Sequence, residues 1–536
     1  MKKATIKLLL FVCLLFAVMQ TGWAQFAGMP YIGYVQRPAP PSSTMGNDFW
    51  MAFEHNNNNN ATDASLYLAL NIASQLPATV TITFTNNSDI YTYNLAANIS
   101  RRIDIRKMVS DGNTGTTDER ANVYLDATAG ISNKTMHITS TQPIAVYAFN
   151  TYSATTDATV LYPIAVWGTD YYQMSYNAAN TTNITNEIII ANENNTVITL
   201  SDNTTQTLSA GQAYVTNGGS ADMTGRHLSS SVPVSYFAGA TLFFVPSGVS
   251  FADVLDEQML PSKVWDTAYF VPNVQQFVTT APDSINNRIR IVSAQNGTKV
   301  TYTGATIPGI TPLGATQIAS GGTLNAGQWV ELVISSKTGG AYIHANNPIC
   351  VAGYLVGGLS GIPISDSPDG ITNGNGNGGD PDNAVMPGLN QLIQQVTISP
   401  FMFPIYSTTQ TGSAYTNTNL FYTNFDGRTG TSPITTQTSY PDVIHGAIIL
   451  TKTAYKGFVN VVKNGTTITL TGTNWVDDAA SGMSIYRYQF DNINDQNSSF
   501  TISSTVNGGG LLVLCYGLAN YESYYYNAGS GAYRLQ

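Results

Sequence analysis

The sequence predicts an all-β protein built of tandem, Ig-like β-sandwich modules of about one hundred residues each. One observation is a repeated segment: residues 163–172 (PIAVWGTDYY) recur as residues 261–270 (PSKVWDTAYF), with five of ten positions identical. A second is the density of strand signals, short runs rich in Val, Ile, Thr and Tyr that end in Asn, Gly or Asp turns, at about seven per hundred residues. A β-propeller-like array is the alternative, but one blade needs only about 40 to 50 residues.

Further repeats occur in the same order around these segments. A strand with the pattern Thr-x-Val/Ile-Thr is followed twice by a turn, LSAGQ or LNAGQ, and later by a proline that precedes a run of apolar residues. Proline is tolerated at the start of a strand, and the apolar run predicts a strand buried on both faces. The strand pattern occupies residues 79–83, 196–200, 298–302 and 466–470, the turns residues 208–212 and 324–328, and the proline strands residues 140–149, 230–239 and 345–354.

The repeats divide the chain into modules whose joints are the repeated tryptophan segments. We expect Pro163, Trp167, Pro261 and Trp265 to be structural joints, and Trp50 to have a similar packing role, because tryptophan buries a large apolar surface. Pro387 marks the start of the last module but lacks the tryptophan. The predicted modules are residues 47–162, 163–260, 261–386 and 387–536.

Three segments depart from this pattern. Residues 25–46, which contain RPAPP, are predicted to form a flexible N-terminal tail. Residues 366–383, rich in Gly, Asn and Asp, are predicted to form an exposed loop that is too polar for a core. Residues 250–260 suggest a short helix capped by Ser250, which would end before Pro261.

The N-terminus and the composition indicate an exported protein. Three lysines precede an apolar run from Leu8 to Met19, and residues 22–24 (GWA) follow as the cleavage region, which is the pattern of a signal peptide over residues 1–24. No later apolar run is long enough to span a membrane. The chain has 22 Lys and Arg against 32 Asp and Glu, and such an acidic surface repels phosphate backbones, which excludes nucleic acid as an expected partner.

Two cysteines, Cys350 and Cys515, remain after removal of the signal peptide, and both lie in strand-like apolar runs. Two cysteines are too few for a disulfide framework. They are either buried free thiols or the two halves of one long-range disulfide.

Several motifs resemble those of the IgGFc-binding protein N-terminal domain family, in the exported form found in Bacteroidetes-like bacteria. Residues 46–53 (GNDFWMAF) are similar to the family's opening GxDFWxAF, residues 253–261 to its acidic segment ending in EQxxP, and residues 379–381 to its GDP segment. The resemblance covers residues 46–410 and implies an extracellular binding or adhesion module. Cysteines that animal members carry near the acidic segment are absent here.

Candidate binding residues come from two polar or aromatic clusters. The C-terminal tyrosines could provide contact area if they gather on one face, since tyrosine binds at small entropic cost, although alternate tyrosines can also simply cover a sheet. The Gly/Asn/Asp loop carries enough carboxylates for a calcium ion but lacks the spacing of a known calcium motif. The tyrosines are Tyr521, Tyr524, Tyr525 and Tyr526, and the calcium candidates are Asp366, Asp369, Asp380 and Asp382.

No catalytic pattern is evident. The five histidines lack metal-ligand spacing and are expected on strand surfaces, and His137 and His227 each stand six residues before a repeated proline. Asp253, Asp256 and Glu257 are expected to have structural or solvated roles, with Asp253 explained by a helix cap, rather than to form an acid/base pair.

These observations predict a non-enzymatic protein without a cofactor, calcium aside, at the cell surface or secreted. We expect an adhesin-like protein that binds a host or environmental glycoprotein or glycan through loops at the module ends. The alternative is a structural component of an envelope or extracellular matrix, which would self-associate.

Overall fold

The computed structural model describes residues 43–531 except residues 58, 153–154, 247–248, 250, 276–285, 308–322, 336–337, 358–379, 401–405, 412–413, 420–443, 492–494, 496–497, 508 and 520–521. The described residues belong to one compact unit. They are nearly all β-strand, which confirms the predicted all-β fold. The predicted signal peptide and the predicted tail up to residue 42 lie outside the described residues. Short 3-10 helices occur at Ile105–Lys107, Arg120–Asn122, Ile164–Val166, Ser262–Val264, Thr453–Phe458 and Gly472–Asn474.

The first module is a sheet folded around one long strand. The N-terminal half of that strand, β7, pairs with β1 and β3, and its C-terminal half pairs with β2 and β8. The short strand β6 joins the sheet of the next module instead. The strands are β1 (Met45–Met51), β2 (Leu66–Ser74), β3 (Ala78–Phe84), β4 (Ile90–Leu95), β5 (Ile99–Asp104), β6 (Gly130–Ser132), β7 (Met136–Tyr152) and β8 (Thr155–Leu161).

The second and third modules repeat this plan. Their long strands, β14 and β22, pair in the same order with the first, second, third and last strands of their own module. The second module has β9 (Gly168–Tyr172), β10 (Thr185–Ala191), β11 (Thr196–Thr199), β12 (Thr205–Leu208), β13 (Ala213–Val215), β14 (His227–Phe243) and β15 (Asp253–Gln258). The third has β16 (Asp266–Pro272), β17 (Arg288–Ser293), β18 (Thr298–Thr303), β19 (Ala305–Thr306), β20 (Thr323–Leu324), β21 (Trp329–Ile334), β22 (Gly340–Leu355) and β23 (Asp382–Val385).

The fourth module keeps the order but divides the long strand in two. β32 pairs with β24 and β28, and β33 pairs with β27 and β34, as the two halves of β7 do with their partners. The strands are β24 (Gln395–Ile398), β25 (Tyr406–Thr411), β26 (Ala414–Asn419), β27 (Ile444–Lys452), β28 (Val459–Lys463), β29 (Thr466–Ile468), β30 (Trp475–Asp478), β31 (Met483–Gln489), β32 (Phe500–Ser504), β33 (Leu511–Ala519) and β34 (Glu522–Gly529).

The repeated proline lies inside the long strand rather than at its start. The ladder between β1 and β7 is irregular between the partners of Gly46 and Asp48, next to Pro143, and equivalent irregularities flank Pro233 and Pro348. Proline lacks an N–H, so it fits where the strand leaves one set of partners for another. After the proline, the strand is buried on both faces, as predicted.

The four last strands meet at the centre of the molecule. β8 packs against β15 and β34, and β23 packs against the same two strands. Side chains link neighbours: the Thr159 hydroxyl donates to Glu257 Oε2 at 2.6 Å, and Glu257 Oε1 accepts from the Val385 N–H at 2.7 Å. The modules therefore form a closed ring around these strands rather than an extended row.

Contacts between the first and fourth modules close the ring. The Thr44 N–H donates to the Ser530 carbonyl at 3.0 Å, so the last residues of the predicted flexible tail are ordered against the C-terminal strand. Arg102 Nη2 donates to the Pro400 carbonyl at 3.0 Å, and the Asn71 amide donates to the Ser399 carbonyl at 3.4 Å. The ends of the described chain thus pack on each other.

The two repeated tryptophan segments have the same structure at successive joints. In each, a proline precedes a single 3-10 turn, and the indole N–H donates to the carbonyl five residues earlier. These bonds are 2.9 Å long for Trp167 and 3.0 Å for Trp265, and both side chains are buried. These segments connect β8 to β9 and β15 to β16, so one follows the first module and the other follows the second.

A glycine of one module contacts the joint proline of the next. A Cβ added to Gly46 would lie 2.3 Å from Pro163 Cβ, and one added to Gly168 would lie 2.5 Å from Pro261 Cβ. At the third joint the two roles are exchanged, because Gly388 stands in the place of the proline and contacts Asp266. Gly388 rather than Pro387 is therefore the equivalent of Pro163 in the fourth module.

We expect Gly168→Ala to lower the free energy of unfolding by about 2 kcal/mol, because its methyl group overlaps Pro261 in a packed joint. Urea denaturation would measure this change. Gly457→Ala is the control, since no atom lies within 4 Å of its added Cβ. Equal stability of the two variants would show that the glycine contact does not hold the joint.

Three expectations about individual segments are corrected. Asp253–Gln258 is the buried strand β15 rather than a capped helix, because its side chains lie at the centre of the ring. Residues 380–383, assigned by sequence to an exposed loop, are buried at the start of β23. Cys350 and Cys515 are both free and buried, and burial raises the pKa of the Cys515 thiol to about 12.

Candidate functional site

The predicted tyrosine surface does not form, because β34 lies at the centre of the ring. Tyr524, Tyr525 and Tyr526 are at most 1 % exposed. The Tyr524 ring packs against Phe149, with centroids 6.4 Å apart, and Tyr526 packs against the same ring at 5.7 Å. These three tyrosines therefore fill the core, and Tyr521 lies outside the described residues.

The predicted calcium loop is not an exposed carboxylate cluster in its described part. Asp380 and Asp382 are buried, and Asp382 accepts hydrogen bonds from the Asn383 N–H at 2.5 Å and the Tyr525 N–H at 2.6 Å. Asp366 and Asp369 lie outside the described residues. Within the part of the chain that the structure describes, no three or more His, Cys, Asp or Glu side chains are grouped to hold a metal ion.

A polar groove of about 400 Å³ opens where the second module meets the LNAGQ turn of the third. Its walls carry hydroxyl, amide and imidazole groups together with backbone of the turn. They include Tyr172, Thr199, Ser201, His227 and Ser229 of the second module and Gly327 of the third.

Two glycines account for the close approach of the backbones beside this groove. Gly225 and Gly327 have φ angles of +85° and +77°, and a Cβ on Gly225 would lie 2.1 Å from the Gly327 carbonyl oxygen. At the equivalent junction of the first and second modules, Thr135 takes the place of Gly225 and donates its hydroxyl to the Gly211 carbonyl at 2.5 Å. At Gly225 the Gly327 carbonyl takes the space of a side chain, so the two backbones make direct contact there.

An Asp–His pair lies at one wall of the groove. His227 Nε2 is 2.6 Å from Asp170 Oδ1, and both side chains are nearly half exposed. Burial raises the pKa of Asp170, but hydrogen bonds from His227 and Ser262 outweigh it and lower the pKa below its ordinary value. A negatively charged hydrogen-bond acceptor therefore stands beside the groove.

The first module contains the same pair. His137 Nε2 lies 2.7 Å from Asp48 Oδ1, and Trp50 stacks on the His137 ring with centroids 4.1 Å apart. Sequence reasoning aligned the two histidines but missed their carboxylate partners, which are 89 and 57 positions away. A repeated pattern in the sequence could have identified these partners. In both modules the aspartate stands two residues before the aromatic residue that contacts the histidine.

Two histidines contradict the expectation of strand surfaces: His55 follows β1 outside any strand, and His445 lies inside β27. His445 is fully buried, and its Nδ1 lies 3.0 Å from the Tyr524 hydroxyl, so it is not on a strand surface. Burial and, secondarily, the Arg102 charge lower its pKa to about 3. The imidazole is therefore neutral at physiological pH.

Five carboxylates lie together inside the ring: Glu54, Asp157, Asp256, Glu257 and Asp382. Burial raises the pKa of each, to about 6 for Asp157 and about 8 for Asp256. None of the five forms an ion pair with a Lys, Arg or His among the described residues. Asp256 and Glu257 are therefore not solvated, and of the two kinds of role expected from the sequence only the structural one is left.

No helix of the described residues is sufficiently long and apolar to cross a membrane. No curated protein matches the chain. The model of one protein family, described as IgGFc binding protein, matches residues 157–517. The matched range runs from β8 to β33 and spans about two thirds of the chain, including the polar groove. The chain belongs to the IgGFc binding protein family.

Proposed function

We propose that the protein is an exported, adhesin-like binding protein of a Bacteroidetes-like bacterium, and that it recognises host or environmental glycoproteins through their glycans without catalysing a reaction. Membership of a binding-protein family supports the general role. The polar groove between the second and third modules is the observation that carries the proposal.

The chemistry of the groove suits a neutral sugar. Sugar hydroxyls both donate and accept hydrogen bonds, as do the hydroxyls of Thr199, Ser201 and Ser229. His227 and the Asp170 carboxylate add a polar group and a charged acceptor at one wall. The volume of about 400 Å³ falls within the usual range of ligand pockets.

The ring supports binding by holding the groove in one shape. The lining residues lie on or next to β9, β11 and β14 and on the turn before β21, and the two modules that carry them are joined by Trp265 and Pro261. A preformed site avoids the entropy that a flexible loop loses on binding. We therefore expect binding without rearrangement of the backbone.

Retention of immobilised glycoproteins, including mucin and immunoglobulin G, and of their free glycans by residues 25–536 at micromolar concentration would test the proposal. Thr199→Arg places a long charged side chain in the groove and is expected to weaken binding at least about tenfold, a change of about 1.4 kcal/mol. Surface plasmon resonance would measure the affinity.

Thr81→Arg is the matched control, because Thr81 holds in β3 the register position that Thr199 holds in β11. It should leave the affinity unchanged. Failure to retain any glycoprotein or glycan, or equal loss in both variants, would contradict the proposal. Ordered self-assembly without ligand retention would instead favour an envelope or matrix component, and a changed glycan after incubation would indicate an enzyme.

A further inference from the structure

We propose that the protein binds one divalent, oxygen-preferring cation, with calcium the best fit, between the first and second modules through Glu54, Asp256 and Asn186. This site lies in the interior of the ring and is separate from the groove. The proposal does not depend on the proposed glycan binding.

The site is defined by three side-chain oxygens that are buried without a hydrogen-bond partner. They are Glu54 Oε2, Asp256 Oδ1 and Asn186 Oδ1, and their residues are 0 %, 3 % and 1 % exposed. Buried polar atoms are nearly always paired, because an unpaired one loses its water without compensation. Three unpaired acceptors in one region therefore indicate a missing positive partner.

Two of the three oxygens, those of Asn186 and Glu54, meet at Gly239, and Asp256 lies opposite this glycine in the sheet. A Cβ added to Gly239 would lie 2.0 Å from Asn186 Oδ1 and 2.5 Å from Glu54 Oε2, so these oxygens are at most 4.5 Å apart. Asp256 is the ladder partner of Gly239 in β15. The absence of a side chain at Gly239 lets the Asn186 and Glu54 oxygens lie side by side against its backbone.

The remaining atoms of the three residues hold these oxygens in position. Asn186 Nδ2 donates to Glu54 Oε1 at 2.9 Å, and the Glu54 N–H donates to Asp256 Oδ2 at 3.1 Å. Each side chain therefore has one atom fixed by a hydrogen bond and one oxygen left for a ligand. Such preorganisation is what outer contacts provide in metal sites.

Electrostatics favours a cation. Burial raises the pKa of Glu54 well above its ordinary value, and the neighbouring Asp256 raises it further. Two carboxylates and an amide oxygen are hard ligands, which suit calcium or magnesium and not zinc. Calcium accepts irregular geometry and additional water ligands, and so fits three oxygens presented by separate segments. The third ligand is the amide oxygen of Asn186, so the proposed site contains two acidic side chains and not three.

The cation would join two modules, because Glu54 follows β1 whereas Asn186 and Asp256 belong to β10 and β15. After EDTA dialysis, the full chain is expected to take up about one calcium per molecule at pH 7.5 by equilibrium dialysis. Saturating calcium should raise the thermal midpoint by at least about 2 °C, since a ligand that binds only the folded state stabilises it. Magnesium should give a smaller shift.

Glu54→Gln and Asp256→Asn should each abolish the uptake and the shift, with folding checked by circular dichroism. Glu257→Gln is the matched control, because Glu257 is equally buried but both its oxygens accept hydrogen bonds, and it should keep both responses. If Glu54→Gln does not fold, calcium uptake and the thermal shift of Asp256→Asn test the proposal instead. Absence of uptake in the unmodified chain, or uptake retained by a folded Glu54→Gln or Asp256→Asn, would overturn the proposal. If the protein becomes more stable on acidification and does not respond to calcium, the buried carboxyl oxygens bind protons rather than a cation. That result would also overturn the cation proposal, whatever the result of the glycan screen.

Discussion

Replacing Arg290 with methionine is expected to lower the free energy of unfolding by about 4 kcal/mol. Arg290 is fully buried in β17, where Nε lies 3.0 Å from Glu331 and Nη1 lies 2.8 Å from Asp222 of the preceding module. Burial opposes the charge, but the two acids outweigh it and raise the pKa of Arg290. Removing the guanidinium would leave Asp222 buried without this counter-ion and Glu331 with only the longer contact to Arg288 at 3.9 Å.

The loss also includes packing and backbone contacts. The guanidinium lies over the rings of Tyr176 and Trp329, at 3.7 and 4.3 Å, and Nη1 donates to the Ser175 carbonyl at 2.6 Å. Tyr176 and Ser175 belong to the second module, so the substitution removes contacts that join it to the third. Methionine can fill part of the volume but donates no hydrogen bond.

Urea denaturation of Arg290→Met and of Arg101→Met would measure the difference. Arg101 pairs with Asp111 at 2.6 Å, but about a third of each side chain is exposed. Exposed ion pairs contribute about 1 kcal/mol or less, so this control should be nearly as stable as the unmodified protein. A loss below about 1 kcal/mol in Arg290→Met would show that the buried cluster does not stabilise the junction.

Lowering the pH from 6.5 to 4 is expected to cost the unmodified protein about 3 kcal/mol more stability than the His445→Gln variant. His445 has a folded-state pKa of about 3, whereas a histidine in the unfolded chain titrates near 6.5. A depressed folded pKa contributes stability that is present above pH 6.5 and is lost as the pH falls toward the folded value. Below pH 6.5 the unfolded chain binds the proton and the folded chain does not.

Urea denaturation at several pH values between 4 and 7, performed on both proteins, would give this difference directly. Titration of the buried carboxylates is common to both proteins and cancels in the comparison. His344→Gln is the control for the loss of a histidine as such, because His344 is exposed on β22. Parallel stability curves for the unmodified protein and His445→Gln would contradict the buried, neutral histidine.

The repeated joints were predictable because each is encoded locally. Pro163 and Trp167 act within one turn, and the same five-residue geometry recurs at Pro261 and Trp265. The long strand was located correctly, but its start was misplaced because proline was assigned only to strand starts. Ring closure had no local signal, since Thr44 and Ser530 are 486 positions apart.

The main errors of the sequence-based predictions concern acidic residues and tyrosines that are buried in the structure. Rules that place Asp and Glu in solvent made a capped helix the natural interpretation of residues 253–258, yet all six side chains are buried. The same central position buries Tyr524, which sequence reasoning expected on a surface. The groove is lined by Gly225, whereas Thr135 holds the equivalent position at the junction of the first and second modules. The difference between these two residues could be interpreted only after the two junctions were compared.

Closure also sets a limit on how the chain can vary. In an extended array each repeat contacts only its neighbours, so copies can be gained or lost at an end while the remaining repeats stay stable. Here the bridge between Ser43 and Gly531 gives every module two neighbours. A fifth module could not be inserted without opening the ring. Removal of one module would leave two of the remaining modules without a neighbour on one side. Geometry, rather than the number of ligands to be bound, fixes the repeat count at four.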